Sequence, residues 1–366
     1  MKKVFILDLE DGMIVGEDIL TDSGIMVIPA GVVITRPIVA HLMSLGVEEV
    51  TINDEVSDSP SPENDKKEQG VESTPVQFYE PNNDNFKQFS KDYANTRDKL
   101  NKTFEGMLEK SISKENIEEL IDESFNLIRS NGNSYGIMGM LYSIRNYSDY
   151  TYMHSVNVGI IAAMIGKWLG WSEKDVKLLN ACGMFHDIGK LMIPKKILDK
   201  PGKLTKEEYE IIKSHTIKGY QILKDAGLEE NICSCALMHH ERYDGKGYPL
   251  GISGQKLNRY ARVIAIADVY EAMTANRQYR GPICPFDVIA QFENEGFSQF
   301  DTEILFVFLR NIVDSYLYSQ VELSDGETAE IVLINHQAGS KPVVLTASGK
   351  TVNLMLDSTV KIEKIL

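Results

Sequence analysis

No apolar run in the chain approaches the roughly 18–20 residues that a membrane-spanning helix needs, so no transmembrane segment is expected. The start, Met1-Lys2-Lys3-Val4-Phe5-Ile6-Leu7-Asp8, meets an acid too early for the apolar core of a signal peptide. Cysteine is sparse. The four, at 182, 233, 235 and 284, have no CxxC spacing, which excludes a disulfide framework or a zinc ribbon and fits a reduced, cytoplasmic chain. Cations are short as well: 38 Lys and Arg face 53 Asp and Glu, a formal charge of −15. That balance argues against polymeric nucleic acid or anionic membrane as a partner. An anionic ligand must therefore be met by a local cationic patch.

The 366 residues leave room for two or three domains. Residues 1–53 read as a small α+β module, with strand-like Val4-Phe5-Ile6-Leu7, Met26-Val27-Ile28 and Val50-Thr51-Ile52, and a helix over Pro37–Leu45. Residues 54–77 lack the apolar content to bury anything and read as a flexible linker. Helical periodicity then dominates 78–318; Ile117, Leu120, Ile121, Ser124, Phe125 and Ile128 form one amphipathic stripe. Residues 319–366 return to a β pattern, with strands expected near 321–323, 329–334, 342–346 and 352–354. The expected fold class is mainly α, a helical bundle with a small β-rich module built from both ends of the chain.

The most informative residues are histidines. Five of seven lie between 154 and 240: His154, His186, His215, His239 and His240. Asp187 and Asp268 join them, completing an imidazole and carboxylate set that suits a first-row transition metal. Gaps of 32 (154 to 186), 28 (187 to 215), 24 (215 to 239) and 28 (240 to 268) separate successive members. An antiparallel helix pair with its loops takes about 25–30 residues, so such spacing returns each group to one level of a bundle. Asp268 sits in Ala261-Arg262-Val263-Ile264-Ala265-Ile266-Ala267-Asp268, too apolar for an exposed face. A carboxylate there costs several kcal/mol unless it is paired or metal-bound.

His186-Asp187-Ile188-Gly189-Lys190 resembles the HDxGK motif of HD-domain phosphohydrolases. His239-His240-Glu241-Arg242-Tyr243-Asp244-Gly245-Lys246-Gly247-Tyr248-Pro249 resembles the HHExxxGxGYP signature of the HD-GYP subgroup. The stretches around His154 and over Ala267–Thr274 fit too, and the likeness runs over about residues 148–318. It implies an HD-type bundle and a metal-dependent phosphodiesterase for cyclic di-GMP. Carried over by residue, it implies two divalent ions, Fe or Mn, one on His154, His186 and Asp268 and one on His215, His239 and His240. Asp187 bridges them, and a hydroxide between the ions attacks the phosphodiester. Some relatives take a third ion on a Glu four residues before the first histidine; Tyr150 stands there, so two ions are expected.

The same resemblance places Lys190 beside the metals, where it stabilises charge on the phosphate, and assigns substrate contacts to Tyr248, Arg277 and Arg280. Glu241 is expected to orient a ligand histidine, and Gly247 to supply a positive φ. Three functions stand side by side: hydrolysis of cyclic di-GMP to pGpG and onward to GMP; hydrolysis of another cyclic dinucleotide or nucleotide phosphoester, such as cyclic GMP-AMP; and a non-catalytic nucleotide-binding signalling scaffold. A homodimer is compatible with each. Retention of all seven candidate ligands and Lys190 favours an enzyme over the scaffold.

Overall fold

In a computed structural model, residues 84–130, 134–144, 150–276 and 281–366 are described, together with the strands and a few packing positions of the first 53 residues. The linker reading at 54–77 lies outside the described residues, as do Arg277 and Arg280 and, apart from Val39 and Leu42, the helix expected at Pro37–Leu45. The chain divides into two compact units: Met1–Val76 with Leu317–Leu366, and Gln77–Tyr316. The second is helical. The first holds the sheets.

In the sheet unit, β1 (Lys2–Phe5) pairs antiparallel with β4 (Glu49–Ile52), and β2 (Ile19–Leu20) with β3 (Met26–Ile28). Val4, Val15, Ile34, Leu42 and Val50 close a small apolar core. The C-terminal segment forms a separate five-stranded antiparallel sheet in the order β8-β7-β6-β5-β9. Its members are β5 (Gln320–Leu323), β6 (Thr328–Leu333), β7 (Val343–Thr346), β8 (Thr351–Asn353) and β9 (Ile362–Ile365). The last strand escapes sequence reading because Glu363 and Lys364 occupy its middle, and only Ile362 and Ile365 point inward. Among the described residues no helix is long and apolar enough to cross a membrane.

In the helical unit, α1 (Asp84–Glu109) and α2 (Lys114–Ser130) pack together, and α2 buries Ile117, Leu120, Ser124, Phe125, Leu127 and Ile128 on its inner stripe. After α3 (Ser134–Ile144) comes α4 (Tyr150–Trp168), apolar all round and buried along most of its length, as a central helix must be. Helix α5 (Glu173–Phe185) starts where the Ser172 side chain accepts the Asp175 amide at 3.2 Å. It crosses α4 at Gly159 and Gly183. A Cβ on Gly183 would lie 2.5 Å from the Gly159 Cα, so only this glycine contact lets the helices approach closely enough to bring His154 and His186 together.

The remaining elements wrap this pair. A short 3-10 turn, Ile188–Met192, is followed by α6 (Lys195–Leu198), α7 (Lys206–Lys213) and α8 (His215–Asp225). Helix α7 opens on a reciprocal cap between Thr205 and Glu208. Next come α9 (Glu230–Met238) and α10 (Arg259–Thr274), the latter capped by Asn258 and packed on α4, α5 and α9. The unit closes with α11 (Pro285–Gln291), α12 (Phe297–Gln299) and α13 (Thr302–Asp314).

Candidate metal centre

Helix ends bring most of the candidate ligands together. His186 caps the C-terminus of α5 with Asp187 next to it; His215 is the first residue of α8; His239 caps α9 with His240 following. The adjacent pair is workable because the helix stops there. His154 comes from the second turn of α4 and Asp268 from the middle of α10, both buried helices. Their ligand atoms gather in two groups, each within 4.8 Å: Asp187, His215, His239 and His240 in one, His154, His186 and Asp268 in the other.

Asp187 faces both ways. Its Oδ2 lies 3.3 Å from His186 Nε2 and 3.5 Å from His154 Nε2, while Oδ1 lies 3.4 Å from His215 Nε2 and 3.6 Å from His239 Nε2. Asp268 Oδ1 is 3.1 Å from His154 Nε2, and its Oδ2 is 3.9 Å from His240 Nδ1. All are buried except His240, whose side chain is a quarter exposed.

The far side of each ring settles which nitrogen bears the proton. Nδ1 of His186 donates to the Gly183 carbonyl at 2.6 Å, and that of His215 to the Ile212 carbonyl at 2.7 Å. His239 Nδ1 has the Ala236 and Cys235 carbonyls at 3.0 and 3.1 Å. A carbonyl only accepts, so each Nδ1 carries hydrogen and each Nε2 is the nitrogen turned inward. Burial pushes His215 down to about 4 and also lowers His239 and His240, keeping these rings neutral near pH 7.

This donor set fits divalent cations. His215 and His239 aim two lone pairs at each other across 3.2 Å, a repulsive arrangement between neutral rings. Two imidazoles bound to one ion at about 2.0–2.1 Å hold their nitrogens about 3 Å apart. His186 Nε2 and Asp187 Oδ1 are buried with no hydrogen-bond partner among the described residues. Such groups cost about 1–3 kcal/mol each unless satisfied otherwise, and more for a charged oxygen. Burial opposes the charge of Asp187 and Asp268, yet Lys190 and His186 hold the first well below the usual carboxylate range and His154 does the same for the second. Burial also opposes a charge on His154, but Glu271, Asp187 and Asp268 outweigh it and hold the ring well above its ordinary value. The pocket wants positive charge.

Lys190, in the 3-10 turn, contacts Asp187 Oδ2. Tyr248 places its ring 4.8 Å from that of His240, and burial raises its phenol so that it stays a donor. Beside it, Lys213 lies 5.7 Å from the Tyr248 ring and 5.2 Å from that of Tyr209, which is half exposed. Two sequence readings are corrected here. Glu241 accepts the Leu250 and Gly251 amides at 2.6 and 3.1 Å, so it pins the loop after Tyr248 rather than a histidine. Gly247 is required by close approach: a Cβ would lie 2.4 Å from Glu241 Cα and Arg242 N, while the positive φ (77°) belongs to Gly245.

Three residues that sequence reading left without a role stand behind His154. Glu271 contacts its Nδ1, Asn157 donates to Glu271 at 3.0 Å, and Tyr93 donates to Asn157 at 2.7 Å. The signal available was weak: Glu271 lies one helical turn beyond Asp268 in the same apolar helix, and Asn157 one turn beyond His154.

Comparison with known proteins points the same way. Residues 140–304 match the family model described as an HD domain. The chain is 36% identical over 182 residues to a 3'3'-cGAMP-specific phosphodiesterase of Vibrio cholerae, over 50% of this chain and 42% of that protein. It is 34% identical over 188 residues to a cyclic di-GMP phosphodiesterase of Thermotoga maritima, covering 50% and 51%. A cyclic di-GMP phosphodiesterase of Borreliella burgdorferi shares 30% over 216 residues, covering 58% and 57%. The chain thus spans about half the length of these curated relatives. An HDG"Y"P protein from Bdellovibrio bacteriovorus matches over 84% of this chain and 98% of its own, with a TM-score of 0.51 and 13% identity, a likeness of fold alone.

Proposed function

We propose that residues 140–304, which match an HD domain and carry a sequence like the HD-GYP signature, hydrolyse cyclic di-GMP with two divalent ions, Fe or Mn. The observation that carries the reading is the two-sided Asp187, with ring nitrogens facing each of its oxygens from opposite sides. His154, His186 and Asp268 hold one ion, His215, His239 and His240 the other, and Asp187 both. Bound ions supply Lewis-acid polarisation of the scissile phosphate and activation of the attacking water. Hydrolysis adds the water oxygen to phosphorus and its proton to the departing ribose oxygen, opening the ring to linear pGpG; a second round gives GMP.

The chain's own groups bind and orient. Lys190, beside Asp187, meets the charge that grows on the phosphate oxygens. Tyr248 offers its hydroxyl and ring to the substrate at the His240 edge. Arg277 and Arg280 answer the need for local cations on an acidic chain, and a planar guanidinium suits phosphate oxygens. The test is product analysis after anaerobic incubation of the purified protein, loaded with Fe or Mn, with cyclic di-GMP and in parallel with cyclic GMP-AMP. Turnover of cyclic di-GMP to pGpG is expected. The Vibrio cholerae relative favours cyclic GMP-AMP as the second reading, and exclusive turnover of that substrate would install it. Binding without turnover of either supports the scaffold. In the same assay Arg277→Ala or Arg280→Ala is expected to raise KM by about tenfold or more at unchanged metal content, since charged contacts are worth about 1.5–3 kcal/mol. Unchanged kinetics remove these contacts.

The candidate ligands all lie between His154 and Asp268, and we read residues 1–53 and 319–366 as a regulatory or dimer-forming module. A fragment of residues 78–318 is expected to keep metal binding and measurable hydrolysis. A folded, metal-loaded fragment without activity would give the chain ends a part in the chemistry.

A further inference from the structure

We infer that Tyr93, Asn157 and Glu271 form a directional hydrogen-bond relay that positions His154 for metal binding, so that one ion site depends on a helix outside the HD domain. The inference rests on the two-ion reading above. Tyr93 lies in α1, beyond residues 140–304, and Asn157 and Glu271 lie in α4 and α10. All three, and His154, are at least 96% buried.

Each link fixes the direction of the next. The Tyr93 hydroxyl donates to Asn157 Oδ1 at 2.7 Å; the Met153 carbonyl, at 3.4 Å, is the weaker acceptor. An amide oxygen turned to Tyr93 leaves the Asn157 Nδ2 hydrogens toward Glu271 Oε1, at 3.0 Å. The opposite amide orientation would set oxygen against a carboxylate. Glu271 accepts that hydrogen bond on one oxygen and faces His154 Nδ1 with the other. His154 Nδ1 therefore carries hydrogen, and Nε2 is the nitrogen turned to Asp187 and Asp268. His186, His215 and His239 use backbone carbonyls for this purpose; His154 uses the Glu271 carboxylate instead. Both Glu271 oxygens are engaged in the relay, which marks Glu271 as a positioning residue and not a ligand.

The test is titration of the full chain, freed of metal, with Mn²⁺, reading the number of ions bound and their affinities. Tyr93→Phe removes only the hydroxyl. It and Glu271→Gln are expected to weaken one of two Mn²⁺ sites by about 10–100-fold, the usual effect of losing a partner behind a metal ligand. The second site should change less than about twofold, since His215 and His239 are oriented by carbonyls. Phe89→Leu is the control: Phe89 packs 6.1 Å from the Tyr93 ring in the same helix and takes no part in the relay. It is expected to lower thermal stability and leave both affinities unchanged. Equal weakening of both sites, an equal loss in Phe89→Leu, or wild-type affinity in Tyr93→Phe overturns the relay. A wild-type chain that binds no Mn²⁺ overturns the two-ion reading itself, and the relay with it.

Discussion

Asp187→Ala is expected to abolish binding of both ions and to lower hydrolysis by about 10³–10⁴-fold, or about 4–5.5 kcal/mol of transition-state stabilisation at 1.36 kcal/mol per tenfold. Asp187 faces each group with one oxygen at 3.3–3.6 Å, whereas Asp268 lies 3.1 Å from His154 and reaches the other group only at 3.9 Å, from His240. Asp268→Ala makes the comparison: it removes a carboxylate from the His154 and His186 group and should leave the His215 and His239 group able to bind one ion. Metal analysis and kinetics of the two variants, with circular dichroism to confirm folding, check this. If Asp187→Ala keeps one tightly bound ion and Asp268→Ala loses both, the two residues have exchanged roles.

Much of the centre is legible in the sequence because its ligands are chemically conspicuous. A carboxylate in the run from Ala261 to Ala267, and a histidine and aspartate directly after Ala181-Cys182-Gly183-Met184-Phe185, contradict their apolar surroundings unless a cation or partner awaits them. The spacing works for a physical reason in the first three gaps, where parts of two helices lie between successive ligands; the fourth, from His240 to Asp268, is filled by the loop over 241–258 and the first part of α10. The relay behind His154 is far less visible. Tyr93, Asn157 and Glu271 are separated by 64 and 114 residues, and a buried tyrosine or asparagine has no local pattern that tells donation from packing. Gly247 is misread for a related cause. Glycine serves positive φ and close approach alike, and only the positions of Glu241 and Arg242 decide between them. In the sheet unit, β9 is hidden because its charged centre departs from strict alternation, and its pairing with β5 is a tertiary fact.

Gly189→Ala is expected to be the most damaging small substitution in the motif. The Ile188–Met192 turn lies so close to α8 that a Cβ at this position would be 1.9 Å from the His215 carbonyl oxygen and 2.6 Å from the Gly219 amide. Both are backbone atoms, so no side-chain rotation relieves the overlap, and the turn and helix must separate. Overpacking costs about 1–3 kcal/mol and occasionally more. At about 2–4 °C per kcal/mol for a domain of this size, the unfolding midpoint should fall by about 6–12 °C at the upper figure. The separation has a chemical consequence too. It carries His215 away from Asp187, now 3.4 Å apart, so affinity at the His215 and His239 group should fall by about tenfold or more. Gly139→Ala supplies the opposite sign: in α3, nothing lies within 4 Å of its added Cβ, and the lost chain entropy of glycine should make it neutral or stabilising by about 0.4–1 kcal/mol. Thermal unfolding with and without Mn²⁺ separates the two effects. A Gly189→Ala chain with wild-type midpoint and affinity would show that the turn and α8 part at no cost, and that their contact does not hold the centre together.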